Sequence, residues 1–149
     1  MNLHAKLIER ETAGHPVTIG VIGAGKFGTM FLAQARLTTG MHVVGVADLD
    51  AARARGQLKI AGWPAEAYAA DSLAQAHKRR ATFVTADAEA LIADPRIEVI
   101  VEATGVPGAG IHHALKAIEH SKHIVMVNVE ADAVAGPLLA RRAKAAGVV

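Results

Sequence analysis

Residues 17–22, Val-Thr-Ile-Gly-Val-Ile, carry no charge and pass without a linker into Gly23-Ala24-Gly25-Lys26-Phe27-Gly28. An apolar run of this kind predicts a strand buried on both faces. Comparable runs recur at 42–48, 81–85, 97–104 and 123–128. Between them lie stretches that read as helices, at 26–38, 50–62, 71–80, 87–94, 107–122 and 132–147, after an opening amphipathic helix over 3–12. Asp50, and Asp71 or Ser72, stand where helix caps are expected, and Pro107 stands at a helix start. Strands separated by helices pair in parallel, and the helices cover both faces of the sheet.

The glycines decide what such a sheet is for. Glycine loses more backbone entropy than any other residue in either kind of element, so three within six residues need a reason. Strand, then G-x-G-x-x-G, then helix is the context in which the pattern cradles a pyrophosphate. Gly23 permits the tight turn, Gly25 clears the approach to the backbone, and Gly28 lets helix and strand lie close. The helix start offers free N–H groups to phosphate oxygens. Asp48 ends the second strand 20 residues after Gly28, where an acid binds ribose hydroxyls; a helix cap or surface turn is the plainer alternative. Lys26 serves a phosphate or a solvated loop. Arg53 and Arg55 serve a 2′-phosphate or a charged helix face. The fold expected is α/β, a Rossmann-type doubly wound parallel sheet in a single domain, with strand order 3-2-1-4-5-6 and Val148-Val149 opening the sixth strand. Residues 1–15 form an N-terminal helical arm and 16–149 the NAD(P)-binding domain.

Composition excludes several other classes. A net charge of +2, without basic blocks interleaved with aromatics, argues against nucleic acid. The chain has no cysteine, which removes thiolate metal sites and a cysteine nucleophile. The first residues carry Lys6, Glu9, Arg10 and Glu11, unlike a signal peptide or a membrane span, so a cytoplasmic protein is expected. His112, His113, His120 and His123 read as surface histidines rather than metal ligands, and no catalytic residue emerges.

The segments VTIGVIGAGKFGTMF, HVVGVADLD, VIVEATGVPGAGIHHALKAI and KHIVMVNVEADAVAGPLLARRAKAAGVV together resemble the amino-terminal half of the homoserine-dehydrogenase-like, SAF-domain-containing oxidoreductases. The likeness is nearest to 1-deoxy-D-xylulose 5-phosphate reductoisomerase-like enzymes, and NVEAD at 128–132 is its most specific part. The resemblance implies a cofactor on Gly23, Ala24, Gly25, Lys26, Phe27 and Gly28, with Ala103, Thr104 and Gly105 on the nicotinamide side. It implies that Asn128 and Glu130 face the catalytic cleft. Homoserine dehydrogenases usually carry Asn-Lys where this chain has Asn128-Val129, which counts against homoserine as the substrate. The implied reaction uses NADPH, whereas Asp48 favours NAD; Arg53 or Arg55 reconciles the two if the loop turns Asp48 aside. Metal and a small-molecule substrate would be held by a further catalytic domain, so the chain alone is expected to be inactive. A homo-oligomer is left open. A different homoserine-dehydrogenase-like substrate, or a non-catalytic redox-sensing module, is the alternative.

Overall fold

Five parallel strands, β1 (Val17–Ile22), β2 (Met41–Ala47), β3 (Phe83–Thr85), β4 (Val99–Glu102) and β5 (His123–Met126), form one sheet in the order β3-β2-β1-β4-β5. The computed structural model describes residues 2–149. The chain runs outward from β1 to β3 and then returns to place β4 on the other side of β1. That reversal opens a crevice at the carboxyl ends of β1 and β4.

Seven helices accompany the sheet: α1 (Leu3–Thr12), α2 (Lys26–Ala35), α3 (Ala51–Ile60), α4 (Leu73–Arg79), α5 (Ala88–Ala93), α6 (Pro107–Glu119) and α7 (Val129–Ala145). One apolar layer joins Leu32 and Ala35 of α2 and Ala54 and Leu58 of α3 to Ile19, Val21 and Val46 of the sheet. A second joins Leu73, Leu91, Ile92 and Ala117, from α4, α5 and α6, to Ile22, Val44 and Ile100. Both faces are therefore covered, as the doubly wound reading requires. Leu91 presses on the paired glycines Gly20 and Gly45; a Cβ at Gly45 would lie 2.2 Å from it.

Three expectations need correction. No sixth strand forms at 148–149, although the Val149 carbonyl accepts a hydrogen bond from the Ile124 N–H at 2.7 Å. The last helix begins at Val129, not 132, because the Asn128 side chain caps it by accepting from the Ala131 N–H at 3.1 Å. A short 3₁₀ turn over Ala65–Tyr68 follows Pro64, where no element was expected.

Candidate dinucleotide site

The backbone ladder continues past the strand ends and fixes the loops beside one another. Gly23 N–H donates to the Ala47 carbonyl, Ala103 N–H to that of Ile22, and Asp48 N–H to that of Thr85. The three glycines of the turn then differ in what holds them. Gly23 has φ of +97°, and a Cβ there would meet the Ala103 and Thr104 backbone at 2.7–2.8 Å. At Gly28 a Cβ would lie 2.1 Å from the Gly23 carbonyl oxygen. These two are required by the fold itself. Gly25 is not: its backbone is extended, and a Cβ there would meet nothing within 4 Å.

Helix caps draw the same distinction. Four helices leave the carboxyl end of a strand directly as α2, α3, α5 and α6, and α7 follows β5. Asp50, Asp87 and Asn128 cap α3, α5 and α7 with their side chains. The helices that flank the crevice, α2 after Gly25 and α6 after Val106, have no side-chain cap. Their first N–H groups are left to whatever enters.

A cleft of about 390 Å³ lies at this point, lined by the Gly23–Gly25 turn, Asp48, Leu49, Arg53, Ala86, Ala88, Ala103, Thr104, Val106, Ala109 and His113. Asp48 is almost fully buried at its edge, and all its acceptor positions are taken. Oδ1 accepts from the Asp50 N–H at 3.0 Å and from Arg53 at 2.8 Å; Oδ2 accepts from the Ala24 N–H at 2.8 Å and from Arg53 at 2.9 Å. Burial alone would raise this carboxyl, but the two N–H groups and the guanidinium outweigh it and hold it below the ordinary carboxylate range. Arg53 itself is half-exposed.

The remaining expected residues are spread around this cleft. Ala24 is buried, while Lys26 and Phe27 are exposed on the first turn of α2. Gly105 has φ of +69° and open space around it. Asn128 is buried and ties the loop after β4 to α7, donating to the Val106 carbonyl at 2.9 Å and to Thr104 Oγ1 at 3.3 Å. Glu130 is exposed on α7. Arg55 turns from the cleft to the Val84 carbonyl.

Two residues that line or support the cleft, Glu102 and His113, were not read as site residues from sequence. Glu102 ends β4 fully buried; its Oε1 accepts from Thr104 Oγ1 at 2.5 Å, the Thr104 N–H at 3.3 Å and His113 Nδ1 at 3.3 Å. Burial would raise this carboxyl, but these hydrogen bonds, that of His113 foremost, keep it below its usual range. His113 is not the surface histidine expected: its side chain is 12% exposed. A carboxylate inside the apolar run Val99-Ile100-Val101 was the available signal, since ionisable residues are rarely fully buried without a partner. Among the described residues no group of three or more His, Asp or Glu side chains is arranged to hold a metal ion, and no helix is long and apolar enough to cross a membrane.

A family model described as homoserine dehydrogenase, NAD binding domain, matches residues 19–149. No curated protein sequence matches the chain at a significant level. Among solved structures, a homoserine dehydrogenase from Thiobacillus denitrificans is similar over 89% of this chain and 28% of its own, at 21% identity and a TM-score of 0.67. A DOX-P reductoisomerase in complex with magnesium is similar over 89% of this chain and 36% of its own, at 23% identity and a TM-score of 0.62. A myo-inositol dehydrogenase from Lactobacillus casei, in complex with NAD(H) and myo-inositol, shares 25% identity over 73% of this chain and 27% of its own, with a TM-score of 0.53. The chain thus spans roughly a third of the length of the solved structures it matches.

Proposed function

The chain belongs to the homoserine dehydrogenase NAD-binding domain family, and from that premise we propose that residues 16–149 hold NAD(P) across the β1–β4 crevice for hydride transfer to a substrate held by another domain. Gly25 carries this reading. Neither its dihedrals nor any neighbour requires glycine there, so the bare position serves what approaches from outside. The pyrophosphate lies on the Gly23–Gly28 turn against the uncapped start of α2. The adenosine ribose lies at Asp48 and Arg53. Ala103, Thr104 and Gly105 face the nicotinamide half, and Asn128 and Glu130 mark the side toward the substrate. The bound cofactor supplies the hydride chemistry.

Resemblance points to a cytoplasmic, 1-deoxy-D-xylulose 5-phosphate reductoisomerase-like enzyme of isoprenoid precursor synthesis, with any divalent metal held by the part that holds the substrate. The alternatives are a different homoserine-dehydrogenase-like substrate or a redox-sensing module.

For the cofactor we favour NADPH. An acid excludes a 2′-phosphate by its charge and by claiming the ribose hydroxyls. Here the acceptor positions of Asp48 are filled and a guanidinium lies against it. Arg53 can turn to a phosphate while the Ala24 and Asp50 N–H groups still hold Asp48. Calorimetric titration with NADPH and NADH tests this. The expected result is tighter NADPH, with Arg53→Ala weakening NADPH about tenfold and NADH far less. A clear NADH preference in the unaltered chain overturns the choice of cofactor, and no binding of either overturns the site.

A further inference from the structure

A second cleft, of about 300 Å³, opens at the amino end of the sheet. Arg10, Arg80 and Arg96 line it, with His42, His77 and one carboxylate, Glu98. The arginines come from three parts of the chain: α1, the residue that ends α4, and the loop between α5 and β4. Each is held from one side. Arg10 gives Nε to the His15 carbonyl and Nη2 to Glu98, Arg80 gives Nη2 to Glu11, and Arg96 gives Nε and Nη2 to Asp94. A guanidinium carries five N–H donors. Nη1 of all three, and Nε of Arg80, have no partner among the described residues. The three side chains are 40–46% exposed, so they are fixed in place without being used up.

The cleft's own carboxylate does not meet this surplus. Glu98 accepts from Arg10 at both oxygens and from the Thr18 N–H and hydroxyl. Charge points the same way. Lys122 donates to the Asp94 and Ile97 carbonyls, which flank Pro95 and Arg96, so four cations stand against Glu11, Asp94 and Glu98. The His42 and His77 ring centroids are 6.2 Å apart. Burial holds His42 below its ordinary value, and Arg80 and His77 push it further down, while the Ala81 carbonyl and Glu11 pull it up. Arg80 is also strained: its φ is +56°, in the left-handed region where glycine closes a helix at no cost. Its partly exposed pair with Glu11 contributes little and does not explain an arginine there. A ligand for the guanidinium does.

We propose that the amino-end cleft is a second ligand site, which binds a phosphate group, free or on a small phosphorylated molecule, through Arg10, Arg80 and Arg96. A carboxylate offers two oxygens in one plane. A phosphate offers three or four in a tetrahedron, which suits donors arriving from three separate elements. The site is independent of the dinucleotide reading. Thr18, near the start of β1, lines this cleft, whereas Ile22 and Gly23, at the end of β1, line the other.

The experiment follows the ring signals of His42 and His77 by NMR during titration with inorganic phosphate and with glycerol phosphate, against sodium chloride at matched ionic strength. The expected result is saturable movement of both signals with a Kd of about 1 mM or tighter, and none in chloride. Phosphate that settles on the Gly23–Gly28 turn leaves these two rings unmoved, so their signals report this cleft alone. Arg80→Gln, which gives up only the bond to Glu11, should weaken the binding about tenfold. Inorganic phosphate binding as tightly as the ester supports the free ion as ligand, and tighter binding of the ester supports a phosphorylated molecule. Movement that never saturates, or that chloride reproduces, is ionic screening; it overturns the proposal in the unaltered chain and needs no variant to fold. Unchanged affinity in Arg80→Gln overturns it as well.

Discussion

Arg10 and Glu98 meet at the amino end of the sheet, and Asp48 and Arg53 at its carboxyl end, each as an arginine bound to both oxygens of a carboxylate. Their surroundings differ. Glu98 also accepts from the Thr18 N–H and hydroxyl, and Arg10 donates to the His15 carbonyl, so the pair joins α1, β1 and the start of β4. Nearby, Arg96 pairs with Asp94, Arg80 with Glu11, and Lys122 donates to the Asp94 and Ile97 carbonyls at 2.7 Å. The amino end is tied together by its own charges. At the carboxyl end two helix starts are uncapped, Gly25 faces open space, and Leu49 and Val106 are uncovered. One end pairs its charges within the chain, around a polar cleft of about 300 Å³. The other leaves helix starts and apolar side chains unsatisfied by the chain itself.

The strongest test of this contrast lies within the glycine turn. Gly28→Val drives a branched side chain into the Gly23 carbonyl, a backbone atom that cannot step aside. We expect a loss of at least about 3 kcal/mol in denaturant unfolding, and with it the loss of binding. Gly25→Val is expected to leave the unfolding midpoint within about 0.5 kcal/mol of the parent and to weaken dinucleotide binding by a factor on the order of 100. If Gly25→Val unfolds the chain as Gly28→Val does, the turn is structural throughout and the distinction is lost.

Asn128 stands between the two categories. It caps α7 through Ala131 and holds the loop after β4 through Val106 and Thr104. Asn128→Ala removes the α7 cap and the two side-chain hydrogen bonds that hold the loop after β4, while the Val106 carbonyl keeps the Gly110 N–H, for an expected loss of about 1–2 kcal/mol. Dinucleotide affinity should fall by a smaller factor than in Gly25→Val, because the residue acts on the site through the loop. A variant of unchanged stability but abolished binding would instead make Asn128 a direct ligand contact.

Much of this arrangement was legible in sequence because it depends on local order. Apolar runs broken by helical stretches fixed the parallel sheet, and strand, G-x-G-x-x-G and helix fixed the turn, since each rests on residues a few positions apart. Asp50 and Ser72 were readable as caps for the same reason. The Asp48–Arg53 pair was half visible, as a residue type at the right distance without its geometry. What stayed hidden depends on long-range contact. Glu102 meets His113 by the docking of α6 on β4, and Arg10 meets Glu98 across 88 residues of chain. Asn128 was misplaced for a related reason: its side chain makes it a cap, and α7 starts three residues earlier than the apolar pattern implied.

The smallest effect expected belongs to the tied end, and it is read through pH. Burial raises the Glu98 carboxyl, but Arg10 and the Thr18 N–H outweigh it, so its folded value lies below its unfolded one. A carboxyl depressed in this way stabilises the fold above its unfolded value, near about pH 4.3, and the contribution is lost as pH falls through the folded value. Both partners of the ion pair are about two-fifths exposed, so water screens it. Glu98→Gln should therefore cost only about 1 kcal/mol at pH 7. Urea unfolding of the parent and the variant at pH 7 and at pH 3 checks the sign as well as the size. The gap between them should narrow at the lower pH, where the parent carboxyl begins to protonate. Dinucleotide affinity at pH 7 should be the same in both, because Glu98 lies at the opposite end of the sheet from the dinucleotide cleft. A gap that stays constant with pH would show that Glu98 acts by packing rather than by charge, and a change in affinity would break the separation of the two ends.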